Sequence, residues 1–227
     1  MPTKPMFQDY KVELLIGRLM GGIPKSKDLI AGWLEVRKPT EPELARQRAR
    51  AATAESIGIP TPMPTLVELA EQVVEALPDT ETTAEDKVWC GFKGNDQGLY
   101  VDGYHLKSHL KDCAEILRKY TEVGAQKAKT ADRLFVVEPR LYLGKGEPDG
   151  FWEHPVHVRT AQGPRSALKR TDYVVDVLIT ATLRVLNDGT ITEALLRQFF
   201  DFGSIKGFGA ERGLGEGRYE YTLTTVA

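Results

Sequence analysis

The chain has 227 residues, 41% hydrophobic and 27% charged, the balance of a globular protein long enough to bury a real core. No run approaches the roughly 18 apolar residues of a membrane span, and the N-terminus shows no apolar core or cleavage site of a secretory signal. The expectation is a cytoplasmic protein with no membrane partner. Cys90 and Cys113 are the only cysteines, too few for a disulfide framework and outside any CxxC spacing, so both thiols are expected reduced, with no metal and no cofactor.

The net charge of −2 conceals an uneven distribution. Residues 41–86 carry ten acidic side chains against three arginines, which leaves 27 basic and 22 acidic residues elsewhere, a balance of +5. Electrostatic attraction depends on such local patches rather than on the total. The reading is a moderately basic body behind an acidic segment.

In chain order, residues 9–20 (DYKVELLIGRLM) predict a first strand that ends at Gly21-Gly22. A short amphipathic stretch around Leu29–Leu34 follows Pro24. Residues 43–55 have helical composition, three prolines interrupt 59–65, and 66–77 form a second amphipathic helix with Leu66, Leu69, Val73, Val74 and Leu77 on one face. This block reads as a helical acidic insertion over 23–87. Residues 88–92 (VWCGF) and 99–101 read as short strands, and Asp102-Gly103 turns into a helix over 105–120 with Leu106, Leu110, Cys113 and Leu117 as its apolar stripe. A polar linker then leads to 133–144, a strand or bent hairpin. Residues 145–172 read as a loop, and 173–186 (YVVDVLITATLRVL) form the strongest strand pattern in the chain. Thr190 is the expected N-cap of a helix over 191–202. A glycine-rich loop precedes a terminal strand over 217–226. Strands and helices in this order predict an α+β fold, a ferredoxin-like or RRM-like antiparallel sheet with helices on one face.

Three segments carry chemical information. In 206–218 (KGFGAERGLGEGR), Gly207, Gly209, Gly213, Gly215 and Gly217 fall within eleven residues, flanked by Lys206, Arg212 and Arg218. Exposed N–H groups of such a loop can form an anion-binding concavity. A tight crossover between helix and strand would demand the same glycines. The order is wrong for a Walker A or dinucleotide-binding turn, whose glycines follow a strand and open a helix. The second segment, 101–111 (VDGYHLKSHLK), puts Lys107 and Lys111 one helical turn apart. The third, 154–170 (HPVHVRTAQGPRSALKR), holds Arg159, Arg165, Lys169 and Arg170 with two histidines and no acid, and arginine suits phosphate recognition. Phe151 and Trp152 beside it suit either base stacking or core packing.

The glycine-rich segment between a helix and a final strand resembles the signature that closes domains of the RAMP superfamily, the repeat-associated RNA-binding proteins. The 101–111 segment is similar to the one with which the Cas7-like branch of that superfamily starts its RNA-facing helix, with Tyr104 or His105 in place of the family's small serine. Residues 145–172 occupy the place of that branch's basic thumb-like loop. The resemblance covers mainly 88–226 and the first strand. It implies a single modified RRM-like domain over 1–227 that holds single-stranded, guide-like RNA by its backbone, without sequence specificity, beside other copies of itself or other subunits of a CRISPR effector complex. The RNA-binding residues so implied are Lys107, Lys111, Arg159, Arg165, Lys169, Arg170, Lys206, Gly207, Gly209, Arg212, Gly213, Gly215 and Arg218.

Two other readings stay open at this point. RAMP-type endoribonucleases use a histidine as general acid or base, which makes His105, His109, His154 and His157 candidates; Asp28 stands roughly where some Cas7-like subunits carry a cleaving aspartate. The i, i+4 pair His105 and His109 also suits a plain polar helix face. An assembly or inhibitor protein of a virus or mobile element that shares the fold would explain the acidic segment, since fold alone does not fix function.

Overall fold

The computed structural model describes residues 5–25, 89–120, 126–160 and 163–226. The expected helices at 43–55 and 66–77, the acidic run 41–86 and Asp28 lie outside the described residues. The chain divides into two compact units, one of Met1–Ile23, Cys90–His154 and Arg170–Ala227, the other of Pro24–Trp89 and Pro155–Lys169. Of the second, the description covers the outer part of a β-hairpin and the Lys25 N–H, which donates to the Trp89 carbonyl at 2.9 Å.

The first unit is built on strand β1 (Phe7–Met20), which pairs antiparallel on both sides. On one side lies β10 (Tyr219–Thr225), in register from Tyr10↔Thr225 to Ile16↔Tyr219. On the other lies β9 (Gly163–Leu186), in register from Phe7↔Leu186 to Met20↔Tyr173. Between β1 and β9 the chain runs through β2 (Ile23–Pro24), β3 (Trp89–Gly91), β4 (Lys93–Asn95), β5 (Gly98–Asp102), helix α1 (Gly103–Leu117), helix α2 (Gln126–Arg133), β6 (Leu134–Val136), β7 (Arg140–Tyr142) and β8 (Gly150–Thr160). Helix α3 (Glu193–Lys206) links β9 to β10. The main sheet has the order β10-β1-β9-β3-β2, with β6 and β8 also pairing with β9; β4, β5 and β7 form a second, three-stranded sheet.

Alternation explains the core. Tyr10, Val12, Leu14 and Ile16 of β1 are buried with Val177, Ile179, Ala181, Leu183 and Val185 of β9. Against them pack Leu106, Leu110, Cys113 and Ala114 of α1 and Leu195, Leu196, Phe199 and Phe200 of α3. A fully buried side chain of this size contributes about 1.5–3 kcal/mol, so the sheet and the two helices packed on its one buried face supply most of the driving force for the unit.

Several expectations need correction. Residues 145–172 are not a loop: β8 and the first part of β9 form a hairpin, and β9 runs for 24 residues, well upstream of 173. Cross-strand hydrogen bonds hold a polar hairpin without the apolar alternation that marks a strand in sequence. The polar linker contains α2, whose buried side chain among those described is Thr130, so no apolar stripe announced it. The segment 133–144 is neither one strand nor a hairpin, since β6 and β7 belong to different sheets. The N-cap of α3 is Thr192, not Thr190: its hydroxyl accepts from the Leu195 N–H at 3.2 Å. The Thr190 N–H is instead held by the Asp188 carboxylate in the preceding turn.

The buried parity of both central strands shifts at one level. In β9 it passes from Asp172 and Val174 to Val177 and Ile179, and in β1 from Ile16 to Leu19. The register is unbroken across this level, between the pairs Ile16↔Val177 and Arg18↔Val175. Asp176 sits there with φ of 52°, and the Val175 N–H turns to the Asp149 carboxylate at 2.7 Å. A left-handed residue thus re-aims the end of the sheet that carries the site. Asp176→Gly should leave stability unchanged or slightly raised. Asp176→Val should lower it by about 1–2 kcal/mol, the penalty of a branched side chain in this region, read as the difference in urea midpoints.

Candidate nucleic-acid interface

The first strand delivers its end, Arg18–Met20, to the glycine-rich loop. Gly217 N–H donates to the Arg18 carbonyl at 3.1 Å and Ala210 N–H to the Met20 carbonyl at 3.1 Å. The Arg18 guanidinium forks onto Glu216, one arm at 2.8 Å, and raises the pKa of its own group by that bond. Within the loop, Phe208 N–H donates to Gly217 O at 2.8 Å, while Leu214 and Gly215 close a single 3-10 turn on Glu211 and Arg212. Gly207 N–H caps α3 on the Gly203 carbonyl at 2.9 Å.

These bonds correct the expectation of an open anion cradle. Six of the loop's N–H groups (207, 208, 210, 214, 215, 217) are committed to the fold. Gly217, at φ 73°, has the Phe208 carbonyl where a Cβ would stand, so its glycine is a steric demand. Gly213 differs: nothing lies within 4 Å of its Cβ position and the residue is exposed beside Arg212.

The loop forms one wall of a cleft of about 240 Å³ within the first unit. Phe208, Gly209, Ala210 and Arg212 face Asp102 at the end of β5 and His105, Ser108, His109 and Asp112 of α1, the last four sharing one helical face by their 3- and 4-residue spacing. Met20, Gly22, Ile23, Gly91, Phe92, Lys93, Tyr100 and Val101 complete the lining. Helix α1 can begin here because Gly103 N–H donates to Pro139 O at 2.8 Å, and a Cβ at Gly103 would fall on the Glu138 carbonyl.

Charges are paired around the cleft. Lys93 Nζ lies 2.7 Å from Asp102 Oδ2, and this bond raises the Lys93 pKa against its burial. Asp112 faces two cations, Lys206 at 3.5 Å and Arg212 at 4.0 Å. Pairs this exposed contribute at most about 1 kcal/mol, so a phosphate can compete for either cation. His105 is half-buried, edge-on to Tyr104 at 4.3 Å, and burial lowers its pKa while Asp102 opposes the shift.

His109 is buried rather than part of a polar face. Its Nε2 lies 3.0 Å from the Tyr219 hydroxyl and 3.9 Å from Cys113 Sγ, and its ring meets Phe208 edge-on at 5.6 Å. Burial, with help from Lys206 and Arg212, depresses its pKa to about 3; burial pushes the Cys113 thiol up to about 11 and raises that of Tyr219. No set of three His, Cys, Asp or Glu side chains gathers as a metal site among the described residues.

The other expected contact residues are scattered. Lys107 and Lys111 lie on the side of α1 away from the cleft; Lys107 Nζ sits 4.5 Å from the Phe135 ring centre, and burial, then Lys111, lowers its pKa. Arg170 stacks on Phe151 at 3.8 Å, and Trp152 stacks on His154 at 4.3 Å, so both aromatics have partners of their own. His154 Nε2 is 3.8 Å from Glu211, which ties the hairpin base to the glycine-rich loop. Lys169 is half-buried; Arg218 is exposed and folds back toward Gly215. The side chains of His157, Arg159 and Arg165 lie outside the described residues. Sequence reasoning missed Lys93, Phe92, Asp112 and Phe208; only Asp102-Gly103 at a strand–helix junction offered a signal.

No family model matches the sequence, and no curated protein matches it. Among solved structures the chain is similar to a chain in a cryo-EM structure of type III-B Cmr-beta bound to cognate target RNA. The match has 12% identity, covers 97% of this chain and 61% of that one, and has a TM-score of 0.45. The chain spans about three fifths of the length of the chain it matches. So loose a likeness leaves fold and function to be argued from this chain's own residues. They define a mixed α+β protein, and no helix among the described residues is long and apolar enough to cross a membrane.

His109 gives the unit a calculable acid sensitivity. Its folded pKa lies below its unfolded value of 6.5, so its neutral form is the native one. As pH falls below 6.5 the unfolded chain gains a proton that the folded chain does not take, and stability drops by about 1.4 kcal/mol per pH unit until the folded pKa. Between pH 6.5 and 5, urea titration should show wild type losing about 1.6 kcal/mol more than His109→Gln, which has no such proton to bind.

Proposed function

We propose that this chain binds single-stranded RNA by its phosphate backbone, as a Cas7-like backbone subunit of a CRISPR-type ribonucleoprotein beside other copies or other effector subunits. The observation that carries the reading is convergence: two segments about a hundred residues apart, each similar to an RNA-facing element of RAMP domains, line one cleft rimmed by Lys93, Lys206 and Arg212. The element order supports it. Strand β1, α1, β6, β9, α3 and β10, with neighbours in the order β10-β1-β9-β6 and these pairings antiparallel, agrees with the ferredoxin-like core that the reading expects. The basic hairpin of β8 and β9 supplies a thumb-like element, with Arg159, Arg165, Lys169 and Arg170 as its proposed phosphate contacts.

Fluorescence anisotropy of a labelled single-stranded RNA of about 30 nucleotides, titrated at several salt concentrations, tests the reading. Affinity should fall steeply with salt. Arg212→Gln and Lys169→Gln should each weaken binding for all sequences alike and flatten the log–log slope by about 0.7, the loss of one phosphate contact. Absence of binding at low salt, or slopes unchanged in both variants, would overturn it.

A further inference from the structure

Backbone contact accounts for the cations around the cleft but not for its interior. The floor is apolar, made by Met20, Ile23, Phe92, Val101 and Phe208. A strand held by its phosphates alone has no use for a recess of this kind. Its volume of about 240 Å³ lies below the range of drug-sized sites, which start near 300 Å³, and suits a single ring system rather than a chain.

The polar groups that reach this recess are placed to read such a ring. The Ser108 hydroxyl and the His105 imidazole come from successive turns of α1, and the Asp112 carboxylate from the next. Burial favours the neutral form of both cleft histidines; His105 can then donate from one nitrogen and accept at the other, while His109, its Nε2 engaged by Tyr219, has Nδ1 left to offer. His109, only 3% exposed, lines the cleft, and its Nδ1 has no hydrogen-bond partner among the described residues. A buried polar atom of this kind is unfavourable unless a ligand or water completes it. Lys93 is closed onto Asp102, whereas Lys206 and Arg212 share the single carboxylate of Asp112, and Arg212 at the mouth is exposed. An apolar slot with neutral hydrogen-bonding walls and a cationic lip is complementary to a flat heteroaromatic ring that carries a phosphate.

We propose that the cleft between α1 and the glycine-rich loop takes one unstacked nucleobase, with the adjoining phosphate on Arg212. The same chemistry could come from a nucleotide within a bound strand or from a free nucleoside monophosphate. The inference rests on the RNA-binding reading only for the first of these sources. It adds to that reading one position at which the protein contacts the base as well as the backbone.

Ser108 is exposed on α1 and lines the recess, so Ser108→Phe fills the slot with little consequence for the core, and circular dichroism checks the fold. His105→Ala is a second variant, which removes a wall without adding bulk. Anisotropy titrations compare a normal single-stranded RNA with an abasic strand of equal length, and the four nucleoside 5′-monophosphates are titrated separately by NMR. For wild type, the abasic strand should bind about tenfold more weakly with the same salt slope, the scale of one lost base contact. Ser108→Phe and His105→Ala should abolish most of that difference while the slope stays. Equal binding of normal and abasic strands, or a difference that both variants leave intact, overturns the proposal and leaves backbone binding standing. Binding of a monophosphate that Ser108→Phe removes, without strand binding, supports the cleft and overturns the RNA reading. No binding of either ligand overturns both.

Discussion

The end of β1 and the glycine-rich loop hold one another. The carbonyls of Arg18 and Met20 have β9 on one side, and on the other they accept N–H groups of Gly217 and Ala210, where β10 has already left the pairing. The Arg18–Glu216 fork closes the same junction from the side chains. Through it the last turn of α3, the loop and the start of β10 are referred to the central strand of the sheet. The cleft wall is therefore as fixed as the sheet itself. A Cβ at Gly217 would strike the Phe208 carbonyl, which would push the loop off β1 and remove Phe208 from beside His109. Core, loop and cleft depend on this one set of contacts.

The charge pattern follows a similar economy of position. Lys206 and Arg212 approach His109 from the loop side, while Asp112 sits between them on α1. The single carboxylate holds the loop's cations near the helix without neutralising both. On the opposite side, Lys93 and Asp102 form a closed pair that ties β4 to the end of β5, where α1 begins. The result is a cleft whose lining charges balance, Lys93 and Arg212 against Asp102 and Asp112, with Lys206 adding positive charge beside Asp112, in a chain whose total charge is negative. Local arrangement rather than composition sets what such a surface attracts.

The two histidines of α1 show how far one turn of helix separates two environments. His105 stays half-buried at the cleft, where Asp102 favours its charged form and burial disfavours it. His109, one turn on, packs between Phe208, Tyr219 and Cys113, and two cations add to the penalty for protonation. It is a core residue with a polar edge, and the hydroxyl of Tyr219 answers that edge across the layer between α1 and β10.

By itself the sequence determined the elements whose side chains alternate or repeat with the right period: β1, the body of β9, α1, α3 and β10. Burial of one face dictates that pattern, so the pattern can be read back. It also marked 206–218 as a glycine-dependent segment flanked by cations, but left open whether the glycines serve a crossover or an anion cradle, which the loop's hydrogen bonds to β1 decided. Tertiary structure alone decided the rest. Helix α2 and the β8–β9 hairpin are polar segments held by backbone pairing and neighbours, which leave no period in the sequence. The split of β6 from β7, the burial of His109 and the distance of Lys107 from the cleft depend on which helix face meets which sheet. The meeting of Lys93, Asp112 and Phe208 in one recess depends on the chain crossing back after more than a hundred residues. No local propensity encodes such a contact, because each residue's surroundings are supplied by partners remote in the chain.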